Sequence, residues 1–213
     1  MQKNIKKIVT LIFTVTAFTA ASAQEFVPLK SDEVFKTRMA RESAETESIE
    51  SNFTQIKYMD LLAEKVESKG KFYFKKSDKI SLDYGFPVKY LIIINGKKIK
   101  IVSEGKKNIY ELSSNKTMAQ MQTLLSACMT GNIADLGRDY KSEYSENDKF
   151  YKVKITPTGA AGTYMSGIEI IMDKKDLSVH RLKMTETSSD YTEYLFTDKK
   201  RNTGISEDKF SLK

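Results

Sequence analysis

The sequence is poor in the residues that carry most enzyme chemistry. Its 213 residues include one cysteine, Cys128, one histidine, His180, three prolines and no tryptophan. A lone cysteine excludes an intramolecular disulfide, so in an oxidising compartment that thiol is either buried or a liability, and burial is the expectation. There is no His/Cys metal spacing, no Gly-rich phosphate loop and no Gly-x-Ser-x-Gly elbow. Three prolines and ten glycines exclude collagen and a low-complexity chain. His180 falls inside an alternating run, 177–184, where a histidine is a structural or surface residue rather than a base. Glu42, Glu45 and Glu47, like Glu143, Glu146 and Asp148, are spaced as solvated faces or turns. No catalytic residue, metal or cofactor is therefore expected. Carboxylates distant in sequence that meet in space to hydrolyse sugars stay open as an alternative.

What the chain does have is greasy bulk, since 40% of it is hydrophobic and it contains 11 Phe and 11 Tyr. No Pro/Gly/Ser linker divides it, so residues 24–213 read as one domain with a real core. The first block differs from the rest. Lys3, Lys6 and Lys7 precede an apolar stretch from Ile8 to Ala20, and Ala21-Ser22-Ala23 follows before Gln24. These are the three parts of a secretory signal peptide. The stretch is too short for the ~20 residues of a membrane span and holds four threonines. Cleavage after Ala23 lowers the formal charge from +7 to +4, an excess too mild to argue for nucleic acid. The expected product is a soluble, exported monomer.

The rest of the chain alternates with a period of two. Val34, Phe35 and Met39 suggest an N-terminal helix, after which strands are expected at 49–58, 66–75, 80–84, 91–94, 98–102, 108–113, 149–155, 164–172, 177–185 and 191–197. Asn95-Gly96 predicts a type I′ hairpin turn, and Asp173-Lys174-Lys175-Asp176 another reversal. About ten or eleven short strands with hairpin-length turns give a mainly β, antiparallel sheet, curved to bury one face. Phe72, Phe74, Ile80, Leu82 and Tyr84 share parity with Lys76, so one face carries an apolar lining and a single cation at its rim. One segment breaks the period. Thr117 and Gln120 form a capping box, and Met118, Met121, Leu124, Leu125, Cys128 and Met129 recur at helical spacing before Gly131. Such a Met-rich helix is either ordinary core or a lid over an apolar cavity, for which methionine's adaptable side chain is suited.

The order of these parts resembles the periplasmic lipoprotein carrier family, LolA. The resemblance runs from Ser48-Ile49-Glu50-Ser51-Asn52-Phe53-Thr54-Gln55, through Gly70-Lys71-Phe72-Tyr73-Phe74-Lys75-Lys76, Phe86-Pro87 and Asn95-Gly96, to Asp173–Glu186 with Asn202, Ile205 and Phe210. It implies an unclosed half-barrel lidded by helices, the Met-rich helix among them. It also implies a cavity for the acyl chains of lipoproteins, which an inner-membrane ABC transporter releases and the carrier takes to an outer-membrane acceptor. Two positions depart from the family pattern. Lys76 stands where the family has a lid-bonding arginine, and a point charge replaces a planar fork. Leu82 stands where the family has a tryptophan, leaving fewer flat aromatics in the cavity. A related carrier of another lipid or a pigment precursor, or an all-β periplasmic hydrolase, are the alternative readings.

Overall fold

The computed structural model describes residues 25–76, 79–114, 119, 122, 123, 126, 127, 133–136 and 139–213. Residues 1–23, expected as a signal peptide, lie outside the described residues. No described helix is long and apolar enough to cross a membrane.

Twelve strands form one antiparallel sheet that does not close into a barrel. They are β1 (Val27–Pro28), β2 (Ser48–Met59), β3 (Glu64–Lys75), β4 (Lys79–Phe86), β5 (Tyr90–Asn95), β6 (Lys98–Ser103), β7 (Lys106–Glu111), β8 (Tyr140–Glu146), β9 (Phe150–Pro157), β10 (Met165–Asp173), β11 (Val179–Glu186) and β12 (Tyr191–Arg201). A helix, α1 (Glu33–Glu45), precedes β2. The spatial order is β1-β8-β9-β10-β11-β12-β2-β3-β4-β5-β6-β7, so two meanders are zipped together where β12 pairs with β2.

Ten of these strands lie where alternation predicts them, while β1 and β8 do not. β8 reads Tyr-Lys-Ser-Glu-Tyr-Ser-Glu, with no aliphatic residue, and its carboxylates are on a strand rather than in turns. Pairing with β9 holds it there, because an antiparallel ladder satisfies backbone groups whatever the side chains are.

The β5–β6 turn also differs from expectation. Asn95 pairs with Lys98, so the two loop residues are Gly96 and Lys97, and of these Gly96 alone has positive φ (58°). That is the type II′ pattern, with glycine at the first central position. The type I′ pattern belongs to the next hairpin, where Glu104 and Gly105 both have positive φ.

The sheet curls so that inner-face residues of distant strands, such as Ile94 and Val153, share one hydrophobic cluster. From β7 at one edge the chain must cross to β8 near the other. Leu112, Ala127, Ile133 and Leu136 are buried in that same cluster, so the connection passes over the inner face. Ala119, Gln122, Thr123, Ser126 and Ala127 are helical within it.

The outer face carries a second, smaller core. Tyr73, Ile93 and Phe210 are buried there, and Lys100 donates to the carbonyls of Ser211 and Lys213. Glu207 pairs with Lys75 and Lys79, and Asn95 donates to the Phe210 carbonyl. The chain's last residues are thereby strapped to the outside of β3–β6.

Candidate functional site

Across β2, β3, β4 and β5 the inner-face register is Ser51–Phe72–Leu82–Ile92 and, one pair further along, Phe53–Gly70–Tyr84–Tyr90. At the first level the face is solid. Phe72, Phe74, Ile80 and Leu82 are each exposed by 1% or less, and Phe72 meets Phe196 edge-on at 5.4 Å. At the second level it opens. Gly70 has no room for a side chain, because an added Cβ would fall 2.3 Å from the Asp83 carbonyl oxygen and 2.8 Å from the Phe53 ring. The Phe53 ring occupies that space and presents its edge to Tyr84 and Tyr194. Beyond these rings lies a cavity of about 500 Å³.

Tyr84, Tyr90, Ile92, Met165, Met184 and Tyr194 supply its apolar wall, with Gln55, Lys57, Glu186 and Thr192 among the polar lining. Its volume falls in the ~300–1,000 Å³ range of ligand pockets. Burial pushes the Tyr84 hydroxyl far above its ordinary range and that of Tyr194 up to about 12, so both phenols are neutral. Gln55 Nε2 donates to the Tyr194 hydroxyl at 2.9 Å, which in turn lies 3.3 Å from that of Tyr84.

The loops at this end of the sheet expose apolar side chains. Leu61, at the β2–β3 tip, is 95% exposed, and Leu62, Phe86, Val88 and Tyr164 are each more than half exposed. The β2–β3 hairpin reaches furthest, since β4 stops opposite Lys69. Tyr164 both lines the cavity and meets solvent, joining the rim to the interior.

The opposite end is closed by α1. Phe35 packs on Tyr144 and Tyr151, Met39 is buried, and Val34, expected in the apolar set, faces solvent. Arg201 binds Glu42 at 2.7 Å and Thr46 at 2.6 Å, while Arg38 donates to the carbonyls of Lys174 and Lys175. Glu42 is therefore an anchor and not part of a solvated face. Lys76 belongs to this end too: its Nζ donates to the Ala44 carbonyl at 2.9 Å and to Glu47 at 3.0 Å. It holds the end of α1.

Of the five residues expected to line a cavity, the structure places all on one face but only Tyr84 at the cavity itself. Of the expected lid, Met118, Met121, Leu124, Leu125, Cys128 and Met129 lie outside the described residues. Gln55, Tyr90, Met184 and Tyr194 escaped sequence reasoning. Gln55 carried a signal, being a polar residue in phase with apolar Phe53. His180 stacks on Phe150, and burial with nearby Lys199 lowers its pKa. Among the described residues no three potential metal ligands converge.

The family model for the outer membrane lipoprotein carrier protein LolA matches residues 44–213, every strand from β2 onward. The chain belongs to the LolA family. No curated protein matches its sequence. Solved structures similar to this LolA-family chain include a LolA superfamily protein from Nitrosomonas europaea, 10% identical, covering 83% of this chain and 97% of its own with a TM-score of 0.42. Another is the lipoprotein LppX of Mycobacterium tuberculosis, 12% identical, with coverages of 81% and 96% and a TM-score of 0.39. The MucA/MucB complex of Pseudomonas aeruginosa is a third, 12% identical, with coverages of 85% and 61% and a TM-score of 0.49.

Proposed function

We propose that this LolA-family chain is a periplasmic carrier that takes the acyl chains of lipoproteins from an inner-membrane ABC transporter and shields them on the way to an outer-membrane acceptor. In this reading residues 1–23 direct export and are removed. The observation that carries it is the open-mouthed cavity of about 500 Å³, lined by Tyr84, Tyr90, Ile92, Met165, Met184 and Tyr194, on an otherwise solid inner face. Each acyl CH₂ exposed to water costs roughly 0.8 kcal/mol, so a cavity that hides the chain removes the penalty that otherwise keeps it in a membrane.

Tyr84 serves as lining, and Phe72, Phe74, Ile80 and Leu82 serve as the packed wall behind it. Met118, Met121, Leu124, Leu125 and Met129 are the proposed cover, on the connection that crosses the inner face. The exposed apolar tips around Leu61 and Tyr164 would ease a chain between bilayer and cavity. A two-carboxylate hydrolase is less well supported, since among the described residues of the cavity lining there is a single carboxylate, Glu186.

Mass spectrometry of lipid co-purified with the mature protein, paired with displacement of a fluorescent fatty acid, tests the reading. Bound acyl lipid, displaced in competition, is the expected result. Protein that is folded, lipid-free and unable to bind the probe would refute it.

A further inference from the structure

The two edges of the sheet are finished differently. At one, β1 is two residues long and ends in Pro28, which has no N–H to offer a further strand. At the other, β7 is six residues long and every one of them is exposed, Ile109 by 44% and Tyr110 by 48%. Among the described strands β7 pairs with β6 alone. The two-residue turn sets Ser103 opposite Lys106, and the Leu112 N–H donates to the Lys97 carbonyl, so Lys106, Asn108 and Tyr110 turn their backbone groups toward β6. The N–H and C=O groups of Lys107, Ile109 and Glu111 therefore point out of the sheet. Of these the Glu111 carbonyl alone has a partner among the described residues, the Ser114 hydroxyl at 2.6 Å, and its second lone pair stays open.

A free edge is a template for another strand, and charged side chains on it decide which strand is accepted. The β7 sequence is complementary to itself. Two antiparallel copies related by a twofold axis at Ile109 face each other Ile109 to Ile109, Lys107 to Glu111 and Asn108 to Tyr110. Every outward residue then sits in a pair that exchanges both N–H···O bonds. Lys107, Ile109 and Glu111 share the outer face with Lys100, which lies opposite Ile109, so each copy's Lys107 meets the other's Glu111 on one side of the sheet. A slip of two residues sets Ile109 opposite Lys107 or Glu111 and separates the opposite charges. A slip of one sets outward groups against groups already bonded to β6.

We propose that β7 is a docking edge for a second copy of this chain, paired antiparallel about Ile109 with Lys107 of each copy against Glu111 of the other. The two inner faces then lie on the same side of one continuous sheet, and the two cavity mouths open in opposite directions. The contact is isologous and the far edges are blunted by β1, so assembly closes at two copies. A single strand pair is smaller than a standard interface, and a dissociation constant on the order of 10–100 µM is expected. Well below that concentration the chain is the monomer expected from its sequence. The pairing is independent of what the cavity holds.

Sedimentation equilibrium of the mature protein from about 1 µM to about 500 µM tests the proposal, and a passage from monomer to dimer is expected. Ile109→Pro removes an outward N–H while leaving the bonds to β6 in place, and should give monomer throughout. Lys107→Glu and Glu111→Lys each set like charges opposite one another and should weaken the dimer about tenfold. An equimolar mixture of these two variants restores opposite charges in both pairs, and should associate within about threefold of the unaltered protein. Monomer at every concentration in the unaltered protein would overturn the proposal. A dimer that survives Ile109→Pro would lie elsewhere on the surface and overturn the assignment to β7. A dimer lost in Ile109→Pro but indifferent to both charge variants would overturn the register. Because the mixture is read as a gain of association, a folding defect in either variant cannot imitate it.

Discussion

The two ends of the inner face are built from the same strands with the same alternation, yet one is solid and the other hollow. Under α1, Phe72, Phe74, Ile80, Leu82 and Phe196 fill the space between the sheet's two halves. One register level away, Tyr84, Tyr90, Met184 and Tyr194 surround about 500 Å³. The solid end is the one that α1 covers. α1 is pinned over its end by Arg201, Arg38 and Lys76, whereas among the described residues no helix is fastened in this way over the cavity end. A strand's periodicity states which way a side chain points, and the element facing it decides whether that side chain becomes core or wall.

Substitutions at the two ends should therefore behave differently, and the largest contrast is at Leu82. Leu82→Glu puts an unpaired carboxylate in the solid end, at a cost of several kcal/mol, and is expected to abolish cooperative thermal unfolding. A folded Leu82→Glu protein that has lost only lipid binding would show that the solid end opens to cargo. Gly70→Ala, at the boundary between the ends, forces a Cβ against the Asp83 carbonyl and the Phe53 ring. It should lower stability by about 1–3 kcal/mol in urea titrations.

Loosening the cover comes next. Arg201→Ala removes the bonds to Glu42 and Thr46, and a loss of about 2 kcal/mol is expected, with acyl-probe affinity at the far end unchanged. A parallel fall in affinity would mean that the two ends are coupled. Filling the hollow end should do the reverse. Met184→Trp is expected to shift stability by less than about 1.5 kcal/mol and to weaken binding of the fluorescent fatty acid at least tenfold.

The smallest effect concerns the outer face. Lys75 and Lys79 hold the Glu207 carboxyl down from its ordinary 4.5 to about 2. A carboxyl depressed on folding adds stability that is present above pH 4.5 and disappears as pH falls through about 2. The group is solvent-exposed, so the contribution is slight and screened by salt. Hydrogen-exchange protection at Ser211–Lys213, corrected for the intrinsic rate at each pH, should fall between pH 4.5 and pH 2 while the inner face stays protected.

Much of this architecture was legible in the sequence by itself. Phe72, Phe74, Ile80, Leu82 and Tyr84 share a face because side chains on a strand alternate, and their spacing states it directly. The ten strands with aliphatic alternation were legible for the same reason. The turn at Asn95-Gly96 was legible as a hairpin but not as a type, because pairing of Asn95 with Lys98 moves the loop's centre forward by one residue. β8 was not legible, since its place comes from ladder bonds to β9 and not from its own polar side chains. Nor was the cavity, and neither was the part that Lys76 plays in holding α1. Alternation is a local property of one strand, whereas enclosed volume depends on residues far apart in sequence. Tyr84 and Tyr194 meet across 110 positions only because the sheet curls after β12 pairs with β2. Tertiary packing alone decided which half of one continuous apolar face would be filled and which left open.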